Sequence, residues 1–212
     1  MAIILREVAD TDLPRVCDVG WLAFADLPLN PVLFPGPFPP DSREQRIAHF
    51  AETRKEDLST TYMQAYDEDT KQLVSFAKWH VYATPENAAA AERPARSLGQ
   101  GVNREACEEF FGGLARKKRE LVGGKPHLFL HMLHTDPAFQ RRGAGKLLLD
   151  WGTKKADELG LPIYLESSQQ GVALYKRHGF EEIEVFDFDL EKYGGSGVYP
   201  SPLMIRKPKK VD

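Results

Sequence analysis

Apolar runs and alternating segments along the chain predict seven strands, and apolar residues at helical spacing predict four longer helices. The strands are predicted at 3–8, 60–66, 73–82, 128–133, 163–166, 181–190 and 200–205. The helices are predicted at 10–24, 42–58, 104–121 and 146–159. Together these elements indicate an α+β (α/β) chain with a mixed central sheet flanked by helices.

Two segments between these elements are predicted to be irregular. Leu27 to Pro40 contains six prolines, which lack a backbone donor and restrict the residues before them, so we predict a loop. Thr84 to Val102 is rich in alanine and contains proline and glycine, so we expect it to be mobile. The pair Gly112-Gly113 lowers the helix propensity of the predicted helix at 104–121.

Length and charge narrow the class of protein. A chain of 212 residues can form one domain with a sizeable core, so we expect 1–212 to be a single domain. The net charge of −3 provides no strong field that would attract nucleic acid. No apolar run is long enough for a membrane span, and the apolar start of the chain is too short for a signal peptide. We therefore expect a cytoplasmic protein without nucleic-acid or membrane partners.

The cysteines and the basic tail add little to this picture. Cys17 and Cys107 lie far apart and match no metal-ligand spacing, so we expect reduced thiols and no bound metal. The basic tail at 206–210 loosely resembles a nuclear-import signal, although a solvated basic tail is the favoured interpretation.

The segment from Leu133 to Lys146 carries the strongest functional signal. An apolar run ends at a turn containing Pro137, and Gln-Arg-Arg-Gly-Ala-Gly then opens the helix predicted at 146–159. Small residues at a helix start expose backbone N–H groups that have no intrahelical partner, and the helix dipole adds positive character there. With Arg141 and Arg142 beside this end, the segment predicts a phosphate site and therefore a phosphorylated cofactor.

Two common phosphate-binding motifs do not match this segment. A P-loop needs Ser or Thr after Gly-Lys, but Leu147 follows Lys146, and its first glycine position holds Gln140. A dinucleotide-binding turn needs a third glycine where the chain has Leu148, although Glu166 lies near the offset expected for a ribose contact. Fewer than 50 residues follow Glu166, which is too little chain for the remaining βαβ units.

The remaining pattern resembles the GCN5-related N-acetyltransferase (GNAT) superfamily. The residues from Gln140 to Gly145 match its acetyl-CoA pyrophosphate loop. A strand at 163–166 followed by Gly171 to Phe180, with Tyr-x-x-x-Gly-Phe at its end, matches a second family motif. The resemblance is specific over about 128–190, which we take as the acetyl-CoA-binding core. One departure is Ser168, where the family often has asparagine; a hydroxyl can still hydrogen-bond a pantetheine arm.

The resemblance implies a fold, a cosubstrate and an activity. The fold is a mixed, mostly antiparallel sheet of about seven strands flanked by helices. The activity is transfer of acetyl from acetyl-CoA to a primary amine, with a small molecule favoured as acceptor, by direct attack in a ternary complex. The residues expected to contact acetyl-CoA are Leu133, His134, Thr135, Gln140, Arg141, Arg142, Gly143, Ala144, Gly145, Lys146, Ser168 and Tyr175.

The catalytic groups follow partly from the resemblance and partly from position. By resemblance Tyr175 is the acid, and its phenol, with an ordinary pKa of about 10, is protonated at neutral pH. Glu166 at a strand end and His134 are the candidate bases, with His131 and Asp136 as weaker candidates. A backbone N–H near Leu133 is expected to stabilise the oxyanion, and strands splayed at 133–135 and 164–168 are expected to pair with the pantetheine arm.

Alternatives and the acceptor stay open at this level. The alternatives are a non-catalytic acyl-CoA-binding or sensing module with the same fold, and an N-acetyltransferase that acts on a protein or peptide. Trp21, Phe34 and Phe38 are candidates for an apolar acceptor pocket, although a packed surface loop is equally consistent with them. The expected assembly is a monomer or a homodimer.

Overall fold

One seven-stranded sheet forms the centre of the computed structural model, which describes residues 2–91 and 99–210. The strands are β1 (Ile3–Glu7), β2 (Thr60–Asp67), β3 (Gln72–Tyr82), β4 (His127–Thr135), β5 (Ile163–Glu166), β6 (Glu181–Asp189) and β7 (Val198–Arg206). Their order is β1-β2-β3-β4-β5-β7-β6, and of these neighbouring pairs in the described residues β4 and β5 are parallel while the others are antiparallel. The expected mixed, mostly antiparallel sheet is therefore confirmed.

Seven α-helices connect the described strands. They are α1 (Leu13–Phe24), α2 (Asn30–Leu33), α3 (Ser42–Glu56), α4 (Pro85–Ala90), α5 (Arg104–Val122), α6 (Ala144–Leu159) and α7 (Val172–Arg177). The four longer predicted helices are confirmed, but the first begins at Leu13, because residues 10–12 form a separate 3-10 turn. No helix in the described part of the chain is long and apolar enough to cross a membrane.

Two short helices correct the segments predicted to be irregular. The helix α2 lies inside the proline-rich segment, where Pro31 occupies the first turn and so removes no intrahelical hydrogen bond. The helix α4 begins after Thr84, whose hydroxyl accepts a hydrogen bond from the backbone N–H of Asn87 at 3.2 Å. The expectation of mobility for the rest of that segment falls partly on 92–98, outside the described residues.

The helices cover both faces of the sheet and bury its apolar side chains. On one face α6 and α7 pack over a cluster that includes Trp79, Leu128 and Leu165. On the other face α5 covers a cluster around Phe129 and Tyr164, and α1 and α3 cover a third cluster. Adjacent residues of β4 and β5 belong to clusters on opposite faces, as the alternation of a strand requires.

The buried face of α6 differs from the predicted one. The sequence pattern predicts contact through Leu148, Trp151, Lys155 and Leu159. The buried positions are instead Ala144, Leu148, Leu149, Gly152 and Ala156, while Leu159 is 40% exposed. A Cβ atom at Gly152 would lie 2.2 Å from the ring of Trp79, so glycine allows the helix to approach the sheet closely. The helix ends after Leu159, as predicted, and Gly160 follows in the left-handed region (φ 65°).

Substitution of Gly152 by alanine should therefore destabilise the fold. The added methyl would overlap the fully buried Trp79, and overpacking of this kind costs about 1–3 kcal/mol. Gly112→Ala is the matched control, because Gly112 is also helical but has no atom within 4 Å of the added carbon. It should stabilise α5 by about 0.5–1 kcal/mol. Urea denaturation monitored by circular dichroism measures both effects, and equal free energies of unfolding for the two variants would contradict the packing argument.

A gap opens where β4 and β5 separate. The two strands pair from Leu128 opposite Ile163 to Leu130 opposite Leu165, and β4 then continues to Thr135 without this partner. On its other side β4 has a bulge, because Lys78 pairs with Met132 and Trp79 with Leu130, so His131 is the extra residue. The splay expected from the resemblance is present, and it begins earlier on β4 than predicted.

Candidate active site

A cavity of about 1290 Å³ lies between the end of β4, α6 and α7. It brings together most of the residues expected to contact the cosubstrate, although they span more than 40 positions of the chain. The expected residues that line it are Leu133, His134, Thr135, Gln140, Arg141, Gly143, Ala144, Gly145, Lys146, Ser168 and Tyr175. Arg142 is not among the lining residues, and its guanidinium lies 5.1 Å from the ring centroid of Phe139.

The amino terminus of α6 forms one wall of this cavity. Gly143 precedes the helix in the left-handed region (φ 88°), and no side chain caps the first turn. The first backbone N–H groups of a 16-residue helix thus lie at the cavity together with the positive end of its dipole. A Cβ atom at Gly145 would lie 3.4 Å from Leu174, so a side chain there would narrow the space beside the helix. Glycine keeps this space open, and the wall can therefore hold a phosphate group.

The charge of the cavity supports the same interpretation. Seven cationic residues line it: Arg141, Lys146, Lys154, Lys176, Arg177, Arg206 and Lys209. Three acidic residues line it: Asp150, Asp157 and Glu158. Because the whole chain carries a net charge of −3, positive charge is concentrated at this site. The cavity is therefore suited to an anionic ligand with more than one phosphate.

The sequence interpretation missed five of these cations, Lys154, Lys176, Arg177, Arg206 and Lys209. They come from the middle of α6, from α7 and from the carboxyl-terminal tail, which meet only in the folded chain. Lys176 and Arg177 directly follow the motif residue Tyr175, so their position in the motif was a signal that could have placed them at the cavity.

The free edge of β4 presents backbone donors to the gap. The N–H of Asp136 donates to the carbonyl of Val74 at 2.9 Å. Because hydrogen-bonded pairs alternate along antiparallel strands, the N–H groups of Leu133 and Thr135 point away from β3 and toward the gap. An extended chain of amides can pair with this edge, and a developing oxyanion can be stabilised by one of its N–H groups.

Asp136 holds the turn that follows β4. Its carboxylate accepts from Arg15 Nη2 at 2.5 Å and from the backbone N–H of Ala138 at 2.9 Å. Arg15 also donates from Nε to the carbonyl of Leu73 at 3.1 Å, so it connects α1 to both strands. Asp136 is thus engaged in orienting the loop toward α6, a structural task that leaves its carboxylate little capacity as a base.

Tyr175 lies on α7 with its ring packed inside the wall of the cavity. The ring is 8% exposed, makes an edge-to-face contact with Phe180 at 5.7 Å, and lies so close to Gly171 that a Cβ there would be 2.7 Å away. Burial raises the pKa of its phenol above the ordinary value. The hydroxyl therefore stays protonated at neutral pH, as an acid must.

The position of His134 does not fit the expected role of a base. His134 is one of the lining residues of the cavity, but its ring is buried between Phe24 and Phe76, at centroid distances of 5.6 and 5.1 Å. Burial lowers the pKa of the imidazole to about 3. A group with this pKa accepts protons poorly at neutral pH. Side chains of β4 alternate between the two faces of the sheet beyond the bulge, and this alternation directs the ring of His134 to the core under α1.

Glu166 ends β5 on the face opposite the cavity. It follows the alternation that places Tyr164 in the cluster under α5, and the Tyr164 hydroxyl donates to its Oε1 at 3.4 Å. Glu166 is partly exposed and lies at the edge of the gap, so it can face an acceptor. In the described residues no group of three or more His, Cys, Asp or Glu side chains is arranged to hold a metal ion.

Comparison with known proteins agrees with this geometry. The model of the acetyltransferase (GNAT) family matches residues 29–180, which is well over half of the chain. An uncharacterized N-acetyltransferase, C56E4.07 of Schizosaccharomyces pombe, is 25% identical over 222 residues, covering 97% of this chain and 92% of that protein.

Solved structures with the same fold include two acetyltransferases. A histone acetyltransferase HPA2 and related acetyltransferase from Corynebacterium glutamicum superposes with a TM-score of 0.63 at 22% identity, covering 100% of this chain and 99% of that one. A GNAT superfamily phosphinothricin acetyltransferase from Sinorhizobium meliloti, solved in complex with AcCoA, has a TM-score of 0.58 at 15% identity, covering 98% and 89%. The chain therefore belongs to the acetyltransferase (GNAT) family and is an acetyl-CoA-dependent N-acetyltransferase.

Proposed function

We propose that the enzyme acetylates a primary amine of a small molecule by direct attack in a ternary complex. The observation that carries the proposal is the continuity of one cavity from the amino terminus of α6 to the β4 edge and to Tyr175. A phosphorylated cosubstrate bound along this path would present its thioester at the gap between β4 and β5. An amine entering from the opposite face would then meet the carbonyl without a covalent enzyme intermediate.

The residues present fit acetyl-CoA. The N–H groups at Gly143 to Lys146 and the guanidinium of Arg141 suit the diphosphate. The β4 edge at Leu133 and Thr135 suits the amides of the pantetheine arm, and Ser168 supplies a hydroxyl nearby. We assign the N–H of Leu133 to the carbonyl oxygen, where charge develops during attack.

Proton movements complete the proposed reaction. The acceptor enters as an ammonium ion and loses one proton to a base beside the gap; Glu166 is one of the candidates that the sequence offers. Its nitrogen then forms the C–N bond while the C–S bond breaks. Tyr175 donates its phenolic proton to the leaving sulfur and regains one from the amine nitrogen, directly or through water. The products are the N-acetylated amine, coenzyme A and the proton held by the base.

An exposed aromatic pair supports an acceptor with an apolar part. Trp21 and Phe38 are 53% and 37% exposed and contact each other edge to face at 5.9 Å. Trp21 and Phe38 are not lining residues, but Trp21 lies on α1, the helix whose Ala23 and Phe24 line the cavity. Aromatic side chains held in this way offer a surface for the hydrocarbon portion of a small amine.

A panel of amines tests the proposal. Purified enzyme is incubated with acetyl-CoA and each of a set of alkyl, arylalkyl, polyamine and amino-acid amines, with peptides as a separate arm, while free thiol is measured. We expect thiol release and an acetylated product with at least one small amine. Release only with peptides would overturn the acceptor class. A thermal shift with coenzyme A but no turnover with any amine would instead indicate a non-catalytic acyl-CoA-binding module.

Charge reversal at Arg141 should weaken the binding of coenzyme A. Arg141 lines the cavity beside the start of α6, so Arg141→Glu replaces a charge-assisted hydrogen bond with repulsion and should raise Kd at least about tenfold. Arg142→Glu makes the same change one residue away, where the guanidinium lies near Phe139, and we expect a smaller effect. Isothermal titration calorimetry at fixed salt measures both. Equal affinity of Arg141→Glu and wild type would argue against the phosphate site.

A further inference from the structure

Three side chains form a continuous hydrogen-bonded chain on the face of the sheet opposite the cavity. The carboxylate of Asp57 lies 3.1 Å from His80 Nδ1, and His80 Nε2 lies 3.1 Å from His131 Nδ1. The hydroxyl of Ser59 also donates to Asp57 at 2.6 Å. Asp57 follows α3, His80 is on β3 and His131 is on β4, so only the folded chain brings them together.

His131 occupies a special position in the sheet. It is the extra residue of the β4 bulge, and it is also the first residue of β4 beyond the last pair with β5, Leu130 opposite Leu165. Its ring is partly exposed and stacks on Phe129 at 5.2 Å, on the same face as Tyr164 and Glu166. The bulge thus places an imidazole at the gap where the thioester would lie, on the side from which the amine would approach.

The direction of the hydrogen bonds determines which nitrogen of His131 carries a proton. The bond from His80 holds the pKa of Asp57 well below its usual range, so the carboxylate is ionised and only accepts. His80 Nδ1 also lies 3.1 Å from the hydroxyl of Ser59 and 3.2 Å from that of Thr60, both of which can accept, whereas the carboxylate can only accept. We therefore assign the hydrogen of neutral His80 to Nδ1, which leaves His80 Nε2 as an acceptor. His131 Nδ1 must donate to it, and the lone pair of His131 is therefore on Nε2.

We propose that His131 is the general base of the reaction and that Asp57 and His80 are positioning residues that set its tautomer. This rests on the proposed function, since it names the group that deprotonates the acceptor. His131 Nε2 takes one proton from the ammonium ion, directly or through one water, and becomes an imidazolium. The hydrogen bond through His80 to the carboxylate stabilises that charge, and the proton passes to solvent after the product leaves.

Charged side chains on β3, α5 and β5 lie around Asp57, His80 and His131. Lys78 on β3 and Lys118 on α5 are the cations that act on His80, whereas Asp57 acts on it in the opposite direction. Glu166 on β5 is the acidic residue beside the gap. Burial lowers the pKa of His80, so its ring stays neutral at pH 7. It therefore orients His131 through their hydrogen bond and does not compete with it for the proton of the acceptor.

Substitution of His131 tests the base directly. His131→Gln keeps a donor that can reach His80 but removes the titrating nitrogen, so we expect kcat to fall at least about 100-fold. The affinity for coenzyme A should stay within about twofold. In the wild type kcat/KM should rise with pH through the titration of the base and then level off, and this rise should be absent in the variant.

Two further variants make the result specific. Glu166→Gln should keep the rise of kcat/KM with pH. If Glu166→Gln instead lost this rise and His131→Gln kept it, the proposal would be overturned and Glu166 would be the base. His127→Gln is the matched control, because His127 lies on the same strand but is buried, bonded to the carbonyl of Lys125 and four residues from the gap. Its pH profile should keep the wild-type shape.

Asp57→Asn tests the positioning role. The amide can donate to His80 Nδ1, which would reverse both hydrogen bonds and put the hydrogen of His131 on Nε2. We expect kcat to fall about tenfold or more, with KM for acetyl-CoA unchanged. An unchanged kcat would remove the role of Asp57 and His80.

An NMR measurement separates this proposal from the proposed function. In ¹⁵N-labelled protein, long-range ¹H–¹⁵N spectra should show neutral His131 with its hydrogen on Nδ1, and the Asp57→Asn variant should shift it toward Nε2. This result does not require turnover, so it can hold even if no amine is acetylated. A wild-type His131 with its hydrogen on Nε2, or protonated at pH 8, would overturn the assignment.

Discussion

Replacement of Tyr175 by phenylalanine should lower kcat at least about tenfold, equivalent to about 1.4 kcal/mol in the activation free energy, and leave the affinity for acetyl-CoA almost unchanged. Only the hydroxyl is removed. The ring that packs on Phe180 and Gly171 stays, so the wall of the cavity keeps its shape. Because the raised pKa keeps the phenol protonated, the wild type always has a proton to donate to the leaving sulfur.

Tyr199→Phe is the matched control for this measurement. Tyr199 is as buried as Tyr175, and burial also raises its pKa, but it lies in the cluster under α5, away from the cavity. Its substitution should leave kcat unchanged. Steady-state kinetics and calorimetry with coenzyme A separate turnover from binding. If Tyr175→Phe lost affinity and kept its kcat, the hydroxyl would be a binding group and the acid would have to be sought elsewhere.

Arg206→Met should lower the free energy of unfolding by about 1.5–3 kcal/mol, because hydrogen bonds to a charged group are lost. Arg206, at the end of β7, is buried and donates two bonds of 2.7 Å to Asp157 of α6, and a third bond of 3.1 Å to the carbonyl of His178. It therefore joins the sheet, the motif helix α6 and the end of α7. Without the guanidinium, the partly buried carboxylate of Asp157 keeps only its bond from the backbone N–H of Lys209, and the carbonyl of His178 loses its donor.

The pH dependence of this loss has a defined sign. Arg206 lowers the pKa of Asp157, so the pair contributes stability above the pKa that Asp157 has in the unfolded chain, about 4. That contribution is lost as the pH falls through the lower folded-state value. Urea denaturation at pH 7 and at pH 3 should therefore show a larger difference between wild type and variant at pH 7.

Lys154→Met is the control for the removal of a cation. Lys154 is also on α6, but its pair with Glu158 is exposed, with 3.9 Å between nitrogen and oxygen, and such pairs contribute about 0–1 kcal/mol. A loss for Arg206→Met no larger than that of Lys154→Met would show that the connection between β7 and α6 contributes little.

The sequence was most informative where the signal is local. The exposed amides before α6 and the end of α6 at Gly160 follow from residues within one or two turns of each other, and both are present in the structure. The alternation at 60–66 and 73–82 likewise predicted two strands, and the structure contains both as the antiparallel pair β2 and β3.

The sequence was less informative where packing decides the outcome. It could not predict that Gly152 would lie against Trp79, which moved the buried face of α6. It also gave His134 as a candidate base, but α1 packs over the ring of His134 and buries it beside Phe24. The sequence pattern did not predict the short helices, such as α4, because one or two turns have too few positions for a periodic pattern.

By itself the sequence determined the family, the phosphate-binding turn and the presence of Tyr175 after it, because these depend on the order and spacing of neighbouring residues. Only the tertiary structure decided which imidazole reaches the gap. That choice depends on the bulge in β4 and on contacts between Asp57, His80 and His131, which lie 23 or more positions apart. Contacts over such distances are set by how strands pair and how α3 packs on them, and no local pattern in the chain encodes them.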